Sequence, residues 1–107
     1  RLKALGVTGA RRASALPEVA TIAEAGLAGF SADLWLGMWG PAKLPRDITE
    51  KLSAELAKLL TLPDVKERLA SQGMQSVGST PAQFAEFVRS ENAQWSQVVK
   101  AAGVKAE

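Results

Sequence analysis

The strongest candidates for contact with a ligand are four residues at alternate positions of one apolar segment: Ser31, Asp33, Trp35 and Gly37. In an extended chain, successive side chains point to opposite sides, so these four share one face. The face is polar at one end and aromatic in the middle, and its glycine leaves room for another group to approach closely. We therefore predict that this face is one wall of a binding cleft.

The opposite face of the same segment is apolar throughout, which predicts a buried surface. It carries five residues: Phe30, Ala32, Leu34, Leu36 and Met38. Residue chemistry alone favours a second interpretation, in which the whole segment is a buried strand with a bulge at its glycines and Trp39 packs at its end. Both interpretations stay open at this point.

The composition gives little support for catalysis. Cysteine and histidine are absent, which excludes disulfides, thiolate metal ligands and a cysteine nucleophile, and removes the commonest general base. No spacing joins the serine, threonine, lysine or acidic residues into a nucleophile–base pair. We predict a protein that is not an enzyme, with no cofactor and no metal, and rank a hydrolase last among the alternatives.

Charge and hydropathy patterning restrict the partners. The formal net charge is +2, and basic and acidic residues alternate along the chain, so no nucleic-acid surface is predicted. No apolar run reaches the ~18 residues needed to cross a bilayer, so no membrane insertion is expected. The Arg11–Arg12 pair could bind a carboxylate or phosphate, but paired arginines in a polar loop are more often solvated, and we favour solvation.

The elements that would position these residues alternate between strand and helix patterns. The expected order is β-α-β-α-α-β-α, an α/β domain with a small mixed sheet. Strands are predicted at 2–8 and 30–39, and a short third strand or an extended connector at 74–77. A short helix is predicted after the Thr21–Glu24 capping box, and further helices starting near Pro45, Pro63 and Pro81. Because Arg1 stands in place of an initiator Met and lies directly against a strand-like segment, we expect a fragment or a processed product. No signal peptide is visible.

Several of these segments, in this order, give the chain a family resemblance. They are LKALGVT (2–8), ALPEVATIAEAG (15–26), WLGMWGPA (35–42), VKERLASQG (65–73) and GSTPAQF (78–84). Together they resemble the C-terminal portion of Bug-type periplasmic substrate-binding proteins, the receptors of tripartite tricarboxylate transporters. The resemblance runs from Leu2 to about Lys105.

The resemblance implies part of a two-lobed, type II periplasmic-binding-protein fold. Residues 1–29 would belong to the second lobe, 30–44 would cross between lobes, and 45–107 would complete the first lobe. It also implies a bacterial periplasmic receptor that captures a small carboxylate or similar anionic solute and delivers it to membrane transporter subunits. The alternative is an independent protein-interaction module, in which the long C-terminal helix and the basic loop dock a protein partner.

Overall fold

Three helices provide the regular structure of a computed structural model that describes residues 2–104. They are α1 (Arg46–Leu59), α2 (Pro63–Ser71) and α3 (Pro81–Ala101). The helices predicted from apolar periodicity are confirmed, with one small difference. Pro45 precedes the first helical residue of α1 instead of occupying it.

Local sequence signals account for the ends of these helices. Thr80 accepts a hydrogen bond from the Gln83 backbone N–H, and the Gln83 side chain accepts one from the Thr80 N–H, which completes a capping box before Pro81. Gly73 follows α2 and Gly103 follows α3 with positive φ angles of 74° and 65°. Glycine adopts this left-handed conformation without strain, so both positions end their helices as the sequence predicts.

The predicted mixed sheet is wrong: residues 2–104 contain three helices and no strand. The segments 2–8, 30–39 and 74–77 run without a strand ladder, and the one β contact among these residues is an isolated parallel bridge between Val7 and Thr21. Apolar, β-prone residues favour an extended backbone, but a strand also needs a neighbour whose N–H and C=O groups complete the ladder. The sequence pattern predicted the first property and could not supply the second.

The short helix expected after Thr21 is a hydrogen-bonded turn. Its capping box is present, because the Glu24 N–H donates to Thr21 Oγ1 at 3.1 Å and the Thr21 N–H donates to Glu24 Oε2 at 2.8 Å. Gly26, with φ 124°, then ends the turn before a regular helix develops.

The long helix α3 supports the segment 31–40, which runs beside it. Trp35 and Trp39 contact the α3 residue Phe84, with ring centroids 5.7 and 5.1 Å apart, and Gln94 donates to the Ser31 carbonyl at 3.4 Å. The chain is nevertheless open. Its radius of gyration is 17.0 Å, against about 13 Å for a compact domain of this length.

Candidate ligand-binding concavity

A concavity of about 1100 Å³ opens between the loop 8–15 and the segment 31–40. Residues 72–79 and parts of α1 and α3 complete its lining. Every residue of 31–40 borders it, including the four predicted to face a ligand: Ser31, Asp33, Trp35 and Gly37. The structure therefore brings the four together around one space, and their contact with a ligand stays a prediction.

Trp35 is held in place by α3. Its half-buried indole packs edge-on against Phe84 and Phe87, with centroid distances of 5.7 and 5.2 Å. The indole N–H donates to Glu91 Oε2 at 3.0 Å. These contacts fix the ring at the wall of the concavity and give Trp35 a packing role there.

Glu91 is a residue of this site that the sequence analysis missed. The same Oε2 atom accepts a second hydrogen bond, at 3.1 Å, from the indole N–H of Trp95. The spacing of four residues between Glu91 and Trp95 was a usable signal, because such residues lie on one helix face. The approach of Trp35 to Glu91, 56 positions away in sequence, carried no comparable signal.

Gly37 allows the segment to lie against a phenyl ring. A Cβ atom at Gly37 would lie 2.2 Å from Phe84 Cζ, far inside van der Waals contact. The glycine predicted a close approach by a backbone or a ligand. The group that approaches is the Phe84 side chain of α3, so the protein itself fills the space in front of Gly37, on the predicted ligand-facing side.

Asp33 joins the segment to the loop 8–15. A Cβ atom at Gly9 would lie 2.6 Å from Asp33 Oδ1, so the carboxylate rests directly on that glycine. The residues that precede Asp33 and Gly9 are also in contact, because the Ala32 N–H donates to the Thr8 carbonyl at 2.9 Å. The two walls of the concavity are thus in contact at one end.

The prediction that the opposite face of the segment is buried is wrong for three of its residues. Leu34, Leu36 and Met38 are 98%, 78% and 65% exposed. The physical reason is that α3 packs on the side of Trp35 and Gly37, and no other described residue covers the leucine side. Phe30 and Ala32 are half-buried.

The two arginines of the loop have different surroundings. Arg12 Nε pairs with Glu24 Oε2 at 2.9 Å and a terminal guanidinium N–H donates to the Pro17 carbonyl at 3.1 Å. The Thr21 backbone N–H and, next, the Arg12 side chain lower the pKa of Glu24. Arg12 is therefore held by the protein although its side chain stays exposed, and Arg11 is exposed at the edge of the concavity.

The charges around the concavity are few. Within residues 2–104 the charged residues that border it are Arg11, Asp33 and Glu91. No group of three or more acidic side chains that could hold a metal ion occurs in the same range. A search of those residues for a helix both long and apolar enough to cross a membrane finds none.

The sequence matches the family described as Tripartite tricarboxylate transporter family receptor (TctC) over residues 1–104. It is 42% identical over 100 residues to a UPF0065 protein from the tcbD-tcbE intergenic region of Pseudomonas sp. (strain P51). This match covers 92% of the chain and 30% of that protein. Two solved structures are also similar. R. palustris Rpa4515 with adipate is 32% identical with a TM-score of 0.79, covering 92% of this chain and 33% of that one.

The second similar structure is the periplasmic binding protein BugD. It is 31% identical with a TM-score of 0.80, and the match covers 95% of this chain and 35% of BugD. The chain thus spans about a third of the length of these proteins.

Proposed function

The chain belongs to the tripartite tricarboxylate transporter receptor family, and we propose that it forms part of a periplasmic receptor that captures a small carboxylate-bearing solute. In this proposal the complete protein, called the parent receptor below, passes the solute to membrane transporter subunits without a chemical step. The chain contributes the loop 8–15, the segment 31–40 and α3 to the binding cleft.

The observation that carries the proposal is the likeness to Rpa4515, whose structure contains adipate. At 32% identity and a TM-score of 0.79, the matched region of that protein is built in the same way as this chain. The concavity is consistent with a small polar solute, since it combines aromatic residues with one cation, two carboxylates and several hydroxyl groups. Adipate is therefore the first solute to test.

Ser31, Asp33, Trp35 and Gly37 are our proposed contributors to the binding surface. Support comes from their position on the border of the concavity and from the hydrogen bond that fixes the Trp35 ring. We also keep the proposed division of the chain, with 1–29 in the second lobe, 30–44 crossing and 45–107 in the first lobe. The contact of the crossing segment with both the loop 8–15 and α3 supports it.

Isothermal titration calorimetry on the parent receptor tests the proposal. The probes are succinate, glutarate and adipate, with adipamide as an uncharged control of similar length. Saturable binding of at least one dicarboxylate, and none of adipamide, is the expected result. A receptor that binds no member of a wider carboxylate panel would contradict the proposal and would favour the protein-interaction module.

We predict that Trp35→Ala in the parent receptor weakens solute binding more than it weakens folding. Truncating a half-buried ring that packs on two phenylalanines should lower the free energy of unfolding by about 2 kcal/mol. The loss in binding free energy should be larger, because the ring also forms part of the cleft wall. Calorimetry and urea unfolding measure the two quantities.

Val88→Ala is the control for Trp35→Ala. Val88 is a half-buried residue of α3 that does not border the concavity. Its truncation should therefore lower stability with little effect on binding. Equal losses of binding and stability in Trp35→Ala would make Trp35 a packing residue alone.

A further inference from the structure

Arg11 and Arg12, which are adjacent in the loop 8–15, differ in their ion pairs and hydrogen bonds. Arg12 is engaged by Glu24 and by the Pro17 carbonyl, so its charge is already used in stabilising the loop. Arg11 takes part in none of the ion pairs formed among residues 2–104. Its exposed side chain borders the concavity, which Arg12 does not.

Arg11 is also the one positively charged residue on this border within the described part of the chain. The negative groups there have other contacts: Glu91 accepts from two indoles, and Asp33 rests on Gly9. Hydroxyl-bearing residues border the same space, among them Thr8 and Ser14 of the loop and Ser31 of the segment 31–40. A concavity that holds a cation and hydroxyl donors offers groups that can bind an anion.

From this arrangement we propose that Arg11 binds a carboxylate group of the solute, an inference that rests on the proposed function. The planar guanidinium can donate two parallel N–H bonds to the two oxygens of one carboxylate, which a lysine ammonium cannot do. The neighbouring ion pair of Arg12 with Glu24 holds the loop, so that Arg11 faces the concavity. Arg12 is thus a loop anchor and Arg11 the ligand contact.

Calorimetry with adipate on the parent receptor and three variants tests this assignment. Arg11→Gln keeps much of the side-chain length and removes the charge. Arg11→Lys keeps the charge but cannot donate two parallel N–H bonds to one carboxylate. Lys51→Gln removes one positive charge from the surface of α1, away from the concavity, and controls for net charge. Thermal melting of each variant checks that the fold is retained.

We expect Arg11→Gln to weaken adipate binding about 10- to 100-fold, because it removes a charge-assisted hydrogen bond. Arg11→Lys should fall between wild type and Arg11→Gln, and Lys51→Gln should stay within about twofold of wild type. Raising the salt concentration should weaken wild-type binding more than Arg11→Gln binding, because salt screens the charge pair. A loss of packing alone would leave the salt dependence unchanged.

The outcomes separate this inference from the proposed function. If the wild-type receptor binds dicarboxylates and Arg11→Gln binds adipate within about threefold of wild type, the role of Arg11 is overturned and the proposed function stands. If the wild-type receptor binds no carboxylate, both are overturned. Equal losses in Arg11→Gln and Lys51→Gln would assign the effect to net charge and overturn the inference alone.

Discussion

At the residue scale, Phe84 organises the contact between the segment 31–40 and α3. Its ring lies over Gly37 and packs against Trp35 and Trp39, with centroids 5.7 and 5.1 Å away. The ring therefore has an aromatic neighbour on either side and a glycine in front. Any atom added at Gly37 must displace a side chain that has little room to move.

We predict that Gly37→Ala lowers the free energy of unfolding of the parent receptor by about 1–3 kcal/mol, the usual cost of overpacking. The new Cβ would lie 2.2 Å from Phe84 Cζ. Gly40→Ala is the matched control, because its Cβ would meet only the end of the Leu44 side chain, at 3.0 Å. Urea unfolding measures both, and equal effects of the two substitutions would contradict the role assigned to Phe84.

A second residue-scale prediction concerns the acid sensitivity of the loop anchor. The pKa of Glu24 is lowered from its ordinary value of 4.5, so the ionised carboxylate stabilises the fold above that pH. The stabilisation is lost as the pH falls through the lowered pKa of the folded state. Carboxyl chemical shifts of selectively labelled receptor should show Glu24 titrating below ordinary glutamates.

Arg12→Ala tests the cause of this pKa shift. The substitution should raise the pKa of Glu24 part of the way back, because the larger contribution, the Thr21 backbone N–H, remains. Glu24→Gln provides the control, since it should remove the acid-dependent contribution of this site altogether. An unchanged Glu24 pKa in Arg12→Ala would show that the ion pair does not persist in solution.

At the element scale, the chain's local signals are strongest where helices begin and end. The Thr80 capping box is complete in the structure, with donor–acceptor distances of 3.2 Å to Thr80 Oγ1 and 2.9 Å to Gln83 Oε1. It begins α3, the helix that carries Phe84, Phe87 and Glu91 to the concavity. The position of the site wall thus depends on where this helix starts.

Thr80→Ala should lower the free energy of unfolding of the parent receptor by about 1 kcal/mol, because the Gln83 N–H loses its acceptor. The neighbouring substitution Ser79→Ala removes a hydroxyl just outside the capping box and should change stability by less than about 0.5 kcal/mol. Denaturant unfolding of the two variants gives the comparison. A Thr80→Ala receptor as stable as Ser79→Ala would mean that the cap contributes nothing.

The difference between local and distant interactions explains which parts of the fold the sequence could predict. The helix ends at Pro63, Gly73 and Gly103 depend on residues within one turn, and they were predicted correctly. The sheet was predicted wrongly, because pairing depends on partners that a local pattern does not contain.

The candidate site shows the same limit. Alternation along the segment picked out Ser31, Asp33, Trp35 and Gly37, but every residue of 31–40 borders the concavity, so contact of these four with a ligand stays a prediction. The second face was predicted to be buried and is largely exposed, since the placement of α3 decides which side is covered. The ion pair of Arg12 was not predictable from the local pattern, because its partner Glu24 is 12 positions away.

At the scale of the whole molecule, apolar surface is left open. Among residues 2–104 only Val19 and Thr21 are buried, at 9% and 3% exposure, whereas Leu34 and Leu36 are 98% and 78% exposed. The radius of gyration of 17.0 Å agrees with this lack of an interior. Contiguous exposed apolar surface of this kind is typical of a face that contacts other protein.

We therefore predict that the 107-residue chain, prepared alone, unfolds with little cooperativity and self-associates, whereas the parent receptor does neither. Burial of apolar area is the main source of folding free energy, and the chain alone buries too little of it. Sedimentation velocity across a concentration series and binding of a hydrophobic dye measure the two properties.

Leu34→Gln combined with Leu36→Gln should reduce self-association. Leu62→Gln should reduce it less, because Leu62, on the connection between α1 and α2, is a less exposed leucine. A dye-negative monomer with a sharp unfolding transition would contradict this prediction, since it would show that these 107 residues stabilise a fold without covering the Leu34–Leu36 surface.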